Sequence, residues 1–242
     1  MAWRLSMLGL LVTVGAARAE CVDPATLAHS TVSITRYFDA DEKATQPGVL
    51  GISGTGWFLS PTLMATAAHV AAAMNLSDHE WRELEIGQDE NQQRVSVRTH
   101  HVAGSHRERI AVLELQKPFP SARALELRNE PLGPEEPVVS VGFPDGHPRV
   151  AHGRFVQYGD GDRFAGTALF ELYEGNDRLV LDHGASGAPV FDCAGRVVAV
   201  VANLMTTTVQ FLSREIRISN AWGSPNVVSV PVAELENSPR VE

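Results

Sequence analysis

Short runs rich in Val, Ile, Thr, Phe and Tyr recur along most of the chain, each closed by Gly, Pro, Asn or Asp, while segments of helical period are scarce. Such runs satisfy their backbone hydrogen bonds only by pairing with one another, so the cadence restricts the chain to an all-β sandwich or a pair of barrels. The pattern predicts a first series of strands at residues 30–37, 56–59, 63–66, 94–101, 110–115 and 138–143. A second series follows at 150–158, 168–173, 178–181, 188–191, 197–203 and 227–232. Residues 67–73, rich in Ala, predict a short helix. The Pro-rich stretch 131–137 is the expected crossing between two halves, because proline stiffens a connection and resists strand pairing. With 242 residues, 44% of them hydrophobic, the chain is long enough for one two-lobed domain with a full core. The halves are expected at about 30–130 and 138–235, and the 10 residues after the last predicted strand leave no room for an appended peptide-binding module.

Residues 1–19 read as an export signal: Arg4 supplies the charged start, residues 7–17 the apolar run, and Ala17-Arg18-Ala19 a small-x-small cleavage site before Glu20. The run is too short for a bilayer span, which needs about 20 residues. A secreted or periplasmic protein without a stable membrane anchor is therefore expected; a buried N-terminal helix or a membrane anchor is the alternative. Cys21 also raises lipid attachment, but Glu20 directly before it fits such a site poorly. Signal removal takes Arg4 and Arg18 and no acid, leaving 18 basic against 29 acidic side chains, a formal charge of −11. That excess repels polyanions and argues against nucleic acid as a partner.

Both cysteines, Cys21 and Cys193, survive signal removal, and an even count in an exported chain predicts one disulfide, with two separate buried thiols as the alternative. The bridge would close a loop of about 170 residues, worth on the order of 5 kcal/mol in the chain-entropy account.

Two segments carry chemistry. In the first, Gly54-Thr55-Gly56-Trp57-Phe58-Leu59-Ser60-Pro61 leads through a turn into Leu63-Met64-Ala65-Thr66-Ala67-Ala68-His69. A hairpin that delivers a histidine where small residues permit a tight helical turn holds an imidazole rigidly at a cleft. In the second, Gly184-Ala185-Ser186-Gly187-Ala188-Pro189, glycines on both sides of a serine allow backbone angles closed to other residues. The hydroxyl is exposed, and the amides of Gly184 and Ser186 can converge on a developing oxyanion. His100 and His101 are adjacent, point to opposite faces of a strand and make a poor metal pair, so neither a metal nor a cofactor is expected. An α/β-hydrolase is excluded, because its histidine follows its serine and no histidine follows Ser186. A subtilisin-like order needs alternating strands and helices, which the cadence does not offer.

These segments resemble those of the trypsin-like serine peptidases, particularly the bacterial secreted and high-temperature-requirement type. Thr66-Ala67-Ala68-His69 is similar to the family's T-A-A-H, and Gly184-Ala185-Ser186-Gly187-Ala188-Pro189 to its G-x-S-G-x-P. Ile110-Ala111-Val112-Leu113 and Val141-Gly142-Phe143-Pro144 match two further family strands more loosely. The resemblance implies two six-stranded antiparallel β-barrels with a cleft between them. It also implies a peptide or protein substrate, Ser186 as nucleophile, His69 as general base, and Gly184 and Ser186 as oxyanion hole. The family's pocket floor falls on Val180 and its wall on residues 227–230, Val228 among them, which predicts a modest apolar side chain at the cleaved position; His183, beside the nucleophile loop, is read as lining the substrate cleft, with an exposed loop histidine as the alternative. Ala185 stands where zymogen-activated relatives carry an Asp, so signal removal alone is expected to mature the enzyme.

One position departs from the family. Where an Asp precedes the strand matched by Ile110-Ala111-Val112-Leu113, this chain has Arg109. Glu108 is the nearest substitute, provided that the segment is still loop, since neighbours on a strand face opposite ways. A Ser-His dyad, a distant acid such as Asp89, and a catalytically weakened pseudoprotease acting as a binding or regulatory module are the other readings.

Overall fold

The computed structural model describes residues 21–88, 91–175, 184–211, 214–219 and 223–237. The leader at 1–19, Asp89, Val180, His183 and the strand predicted at 178–181 lie outside them.

In chain order the elements are α1 (Pro24–Ala28), β1 (Thr31–Tyr37), α2 (Ala40–Thr45), β2 (Gly51–Ser60), β3 (Leu63–Ala67), α3 (Ala68–Ala73), β4 (Arg82–Gln88), β5 (Asn91–Ala103) and β6 (Ile110–Leu115). Then come β7 (Pro137–Gly142), β8 (Arg149–Tyr158), α4 (Gly161–Phe164), β9 (Ala168–Tyr173), β10 (Pro189–Asp192), β11 (Val197–Leu204), β12 (Thr206–Phe211), β13 (Arg214–Ser219), β14 (Val227–Pro231) and α5 (Ala233–Asn237). The first six strands close a barrel in the order β1-β2-β3-β6-β5-β4, and a second barrel closes in the order β10-β11-β14-β9-β8-β7. All pairings within them are antiparallel, the arrangement of the chymotrypsin-like fold. Strands β12 and β13 form a separate hairpin between β11 and β14.

The near-continuous apolar runs follow from burial on both strand faces. In β2, Phe58 points into the first barrel with Ile34, Met64 and Leu113, while its neighbour Trp57 joins a cluster between the barrels with Ile110, Val141 and Phe191. In β6, Ala111, Leu113 and Leu115 face the barrel interior and Ile110 the interface. Phe155, Phe170, Val190 and Val201 fill the second barrel. Fully burying each large side chain contributes about 1.5–3 kcal/mol, so three clusters rather than one hold the two lobes together. Exchanging Trp57 for Ala would open the inter-barrel cluster and cost about 3–5 kcal/mol.

Three strands escape the pattern reading, as do the short helices α1, α2, α4 and α5. Strand β4, Arg-Glu-Leu-Glu-Ile-Gly-Gln, alternates correctly, with Leu84 and Ile86 buried, but Glu and Arg mask it because charged residues are poor strand signals. The β12–β13 hairpin begins one residue after β11 ends and reads as part of the loop that follows it.

Cys21 and Cys193 form a disulfide that fastens the start of the described chain to the β10–β11 turn, where the Val22 N–H also donates to the Cys193 carbonyl at 3.0 Å. The turn is organised by buried Asp192. Its Oδ1 accepts from the N–H groups of Ala194 and Arg196 at 2.9 and 3.0 Å, and its Oδ2 from the Arg196 guanidinium at 2.8 and 3.0 Å and from Arg128 at 3.3 Å. Burial alone would raise the Asp192 carboxyl, but these bonds and the two cations hold it below its ordinary value.

Candidate active site

His69 is the second residue of α3, which begins where β3 ends. The register Ala67↔Ile110 sets the last pair of β3 on the first of β6, and the Ala68 N–H donates to the Arg109 carbonyl at 2.9 Å. Val70 and Ala71 bury the inner face of the short helix in the first barrel, which turns His69 outward to solvent. Although exposed, the His69 ring is partly desolvated by the protein around it, which lowers its pKa below its ordinary 6.5, and the charge of Glu108 acts in the opposite direction.

Ser186 sits on a tight turn before β10. The Ala188 N–H donates to the Ala185 carbonyl at 3.0 Å, Gly184 and Gly187 take φ of +107° and +92°, and the Gly187 N–H donates to Val201 on β11 at 2.8 Å. Ala185 and Ala188 are buried beneath the turn and Ser186 is half-buried above them. A Cβ on Gly187 would run into the Thr55 carbonyl and the Thr66 hydroxyl and lie 3.1 Å from the Ala67 nitrogen. The serine turn of the second barrel thus lies directly on the first-barrel hairpin that leads into His69. Among the described residues, the N–H groups of Gly184 and Ser186 donate to no protein acceptor.

Thr55 joins the two segments. Its N–H donates to the Ser186 carbonyl at 2.9 Å and its Oγ1 to the Gly184 carbonyl at 2.7 Å, while the same Oγ1 accepts from the Phe143 N–H at 2.9 Å. The Thr55 carbonyl in turn accepts from Thr66 Oγ1 at 2.7 Å. Thr55 and Thr66 are both fully buried. Sequence reasoning assigns neither a role. The available signal is that polar residues stand inside apolar strands, where burial demands hydrogen-bond partners.

Glu108 and Arg109 lie in the loop between β5 and β6, before β6 begins at Ile110, so the geometric condition on Glu108 is met. Glu108 is half-buried. Arg109 works through its carbonyl on Ala68, and its side chain is exposed. It lines a cavity of about 340 Å³ on the flank of α3 with Ala68, Ala71, Ala72 and Asp78. Arg109 Cγ and Glu234 Oε2 of α5 lie 3.3 and 3.6 Å from the point a Cβ on Gly104 would occupy, which sets an acid close to the arginine. Among the described residues, no hydrogen bond joins His69 to Ser186 or to Glu108; such bonds are commonly long before substrate binds.

Val228 is buried on β14, paired with Asn203 of β11 and Leu169 of β9, and Val201, two residues before Asn203, is the anchor of the serine turn. Among the described residues no cluster of His, Cys, Asp and Glu is arranged to hold a metal ion.

The family model for the trypsin-like peptidase domain matches residues 54–200, a span that includes His69, the β5–β6 loop and Ser186. Among solved structures, an active form of the Rv3671c protease from M. tuberculosis is 18% identical, covers 96% of this chain and 92% of that one, and superposes with a TM-score of 0.58. An inactive form of that protease, also 18% identical, covers 88% of both chains at a TM-score of 0.57. A serine-to-alanine mutant of Rv3671c from strain H37Rv, in the inactive form, is 18% identical and covers 92% and 91% at 0.58. At that identity the likeness is one of fold. No curated protein matches the chain.

Proposed function

The chain belongs to the trypsin-like peptidase domain family, and from that premise we propose that it is a serine endopeptidase acting through an acyl-enzyme on Ser186. In this reading His69 takes the proton from the Ser186 hydroxyl as Oγ attacks the substrate carbonyl. The amides of Gly184 and Ser186 receive the negative charge that forms on the carbonyl oxygen. His69 then returns the proton to the leaving amine, and the same base activates the water that releases the acyl group. Glu108 orients the imidazole and stabilises its charged form. The observation that carries the reading is the seating of the serine turn on the hairpin of His69, through Thr55 and Gly187.

The lowered pKa of His69 supports its role as base, since a neutral imidazole is what accepts the proton at neutral pH. The proposed substrate is a peptide or protein with a modest apolar residue at the cleaved position, with Val228 among the pocket residues. Export to the periplasm or the medium is proposed from the leader and from the disulfide, which persists in oxidising compartments.

The test is digestion of an unbiased peptide library by the mature protein, with the products sequenced by mass spectrometry. Internal cleavage after Ala, Val or Leu, lost in Ser186→Ala, is expected. Removal of terminal residues only, or a preference for Lys and Arg, would contradict the reading.

A further inference from the structure

The loop that carries Glu108 is held at both ends and at its tip. At its base, Ala103 pairs with Ile110, and the Arg109 carbonyl is bound by the Ala68 N–H. Between them run six residues, Gly104 to Arg109, of which Ser105, His106 and Arg107 are exposed. A loop of this kind, with no buried side chain at its tip, is ordinarily mobile. Here the His106 ring reaches across to the other barrel and lies on Gly166. A Cβ at Gly166 would run into the Cδ2 side of the ring, 2.8 Å from Cγ and 3.1 Å from Nε2.

The surface that receives the ring is tied by its own hydrogen bonds. Gly166 has φ of +72° and belongs to the α4–β9 connection. Thr167 donates through N–H and Oγ1 to the Phe164 carbonyl at 3.1 and 2.6 Å, the Ala165 N–H donates to Gly161 at 3.0 Å, and the Gly159 N–H to Thr167 at 2.8 Å. Two features therefore need a glycine at 166, the left-handed backbone and the approach of an aromatic ring.

We propose that His106 is a positioning residue for Glu108: by seating its ring on Gly166 it pins the acid-bearing loop of the first barrel to the second barrel. The inference rests on the reading of Glu108 as the orienting acid. It makes the site depend on two contacts between the barrels, Thr55 on the serine turn and His106 on Gly166. With only one residue between His106 and Glu108, displacement of the ring reaches the carboxylate directly.

The test measures casein hydrolysis and the rate of fluorophosphonate labelling, each across pH, in His106→Ala, His106→Phe, Gly166→Ala, Glu108→Gln and the doubles His106→Ala/Glu108→Gln and His106→Ala/Gly166→Ala. A misplacement of about 1 Å in a catalytic group can cost roughly 10²-fold, so His106→Ala is expected to lower kcat by about tenfold or more with KM unchanged. His106→Phe, whose ring can still cover Gly166, should recover most of that loss. In the Glu108→Gln background His106→Ala should have no further effect, and in the His106→Ala background Gly166→Ala should lower the melting temperature through its backbone strain without further loss of kcat. Should Glu108→Gln collapse activity while His106→Ala leaves it intact, the brace is wrong and the acid stands. An equal loss from His106→Ala with and without Glu108 likewise overturns the brace. Glu108→Gln without effect overturns the acid reading and the brace with it.

Discussion

The hydroxyl of Thr55, in the first barrel, donates to the carbonyl of Gly184, in the second, at 2.7 Å. Gly184 precedes Ser186 by two residues, so a strand of one barrel sets the turn on which the proposed nucleophile of the other is presented. Thr55→Val keeps the shape and removes the hydroxyl, stranding a buried carbonyl and the Phe143 N–H. Leaving a buried group unpaired costs about 1–3 kcal/mol. The expected outcome is a lower denaturation midpoint and slower labelling of Ser186, with Thr55→Ser close to wild type.

Glu108 and Arg109 make opposite predictions. The Arg109 side chain lies on the flank of α3 near Glu234, so Arg109→Asp should change turnover little. Glu108→Gln should reduce it by at least about tenfold, towards the roughly 10⁴ lost when a Ser-His-Asp triad loses its acid. Steady-state kinetics on an ester and on a peptide check both. A strong gain in Arg109→Asp would show that position 109 does face the imidazole.

The fold was legible in the strand cadence because both faces of most strands are buried, which makes runs such as Val197–Leu204 unmistakable. The candidate site could be read where chemistry needs particular residue types in a tight segment: a serine between glycines, and a histidine at a hairpin's end. Position 109 could not, because there the backbone carbonyl makes the contact with α3 and the side chain is free to vary. Thr55 was also opaque, since its partner Gly184 is 129 residues away and only the closed fold reveals it.

The pH dependence of kcat/KM follows from His69. Partial desolvation holds its pKa below 6.5, so activity should stay on as pH falls through 6.5 and be lost only lower, when the base protonates. The Glu108 charge raises that pKa, so Glu108→Gln should move the acid limb to still lower pH while depressing the plateau. A limb that stays in place in Glu108→Gln would separate Glu108 from His69.

Asp192 ties acid stability to the β10–β11 turn. Its folded pKa is lowered, so its contribution is complete above the ordinary 3.8 and is lost as pH falls through the folded value. Asp192→Asn should therefore destabilise the protein at neutral pH and flatten its loss of stability below about pH 4. Denaturant titrations of both proteins at neutral and acid pH check this.

The proposed chemistry requires Ser186 to be an activated nucleophile. The direct measurement is treatment of the mature protein with a fluorophosphonate, followed by peptide mapping of the adduct, for wild type, Ser186→Ala and His69→Ala. A single adduct on Ser186, absent in Ser186→Ala and strongly slowed in His69→Ala with all three proteins folded, is the predicted result. Failure of the folded wild type to label, or labelling that persists in Ser186→Ala, would contradict it.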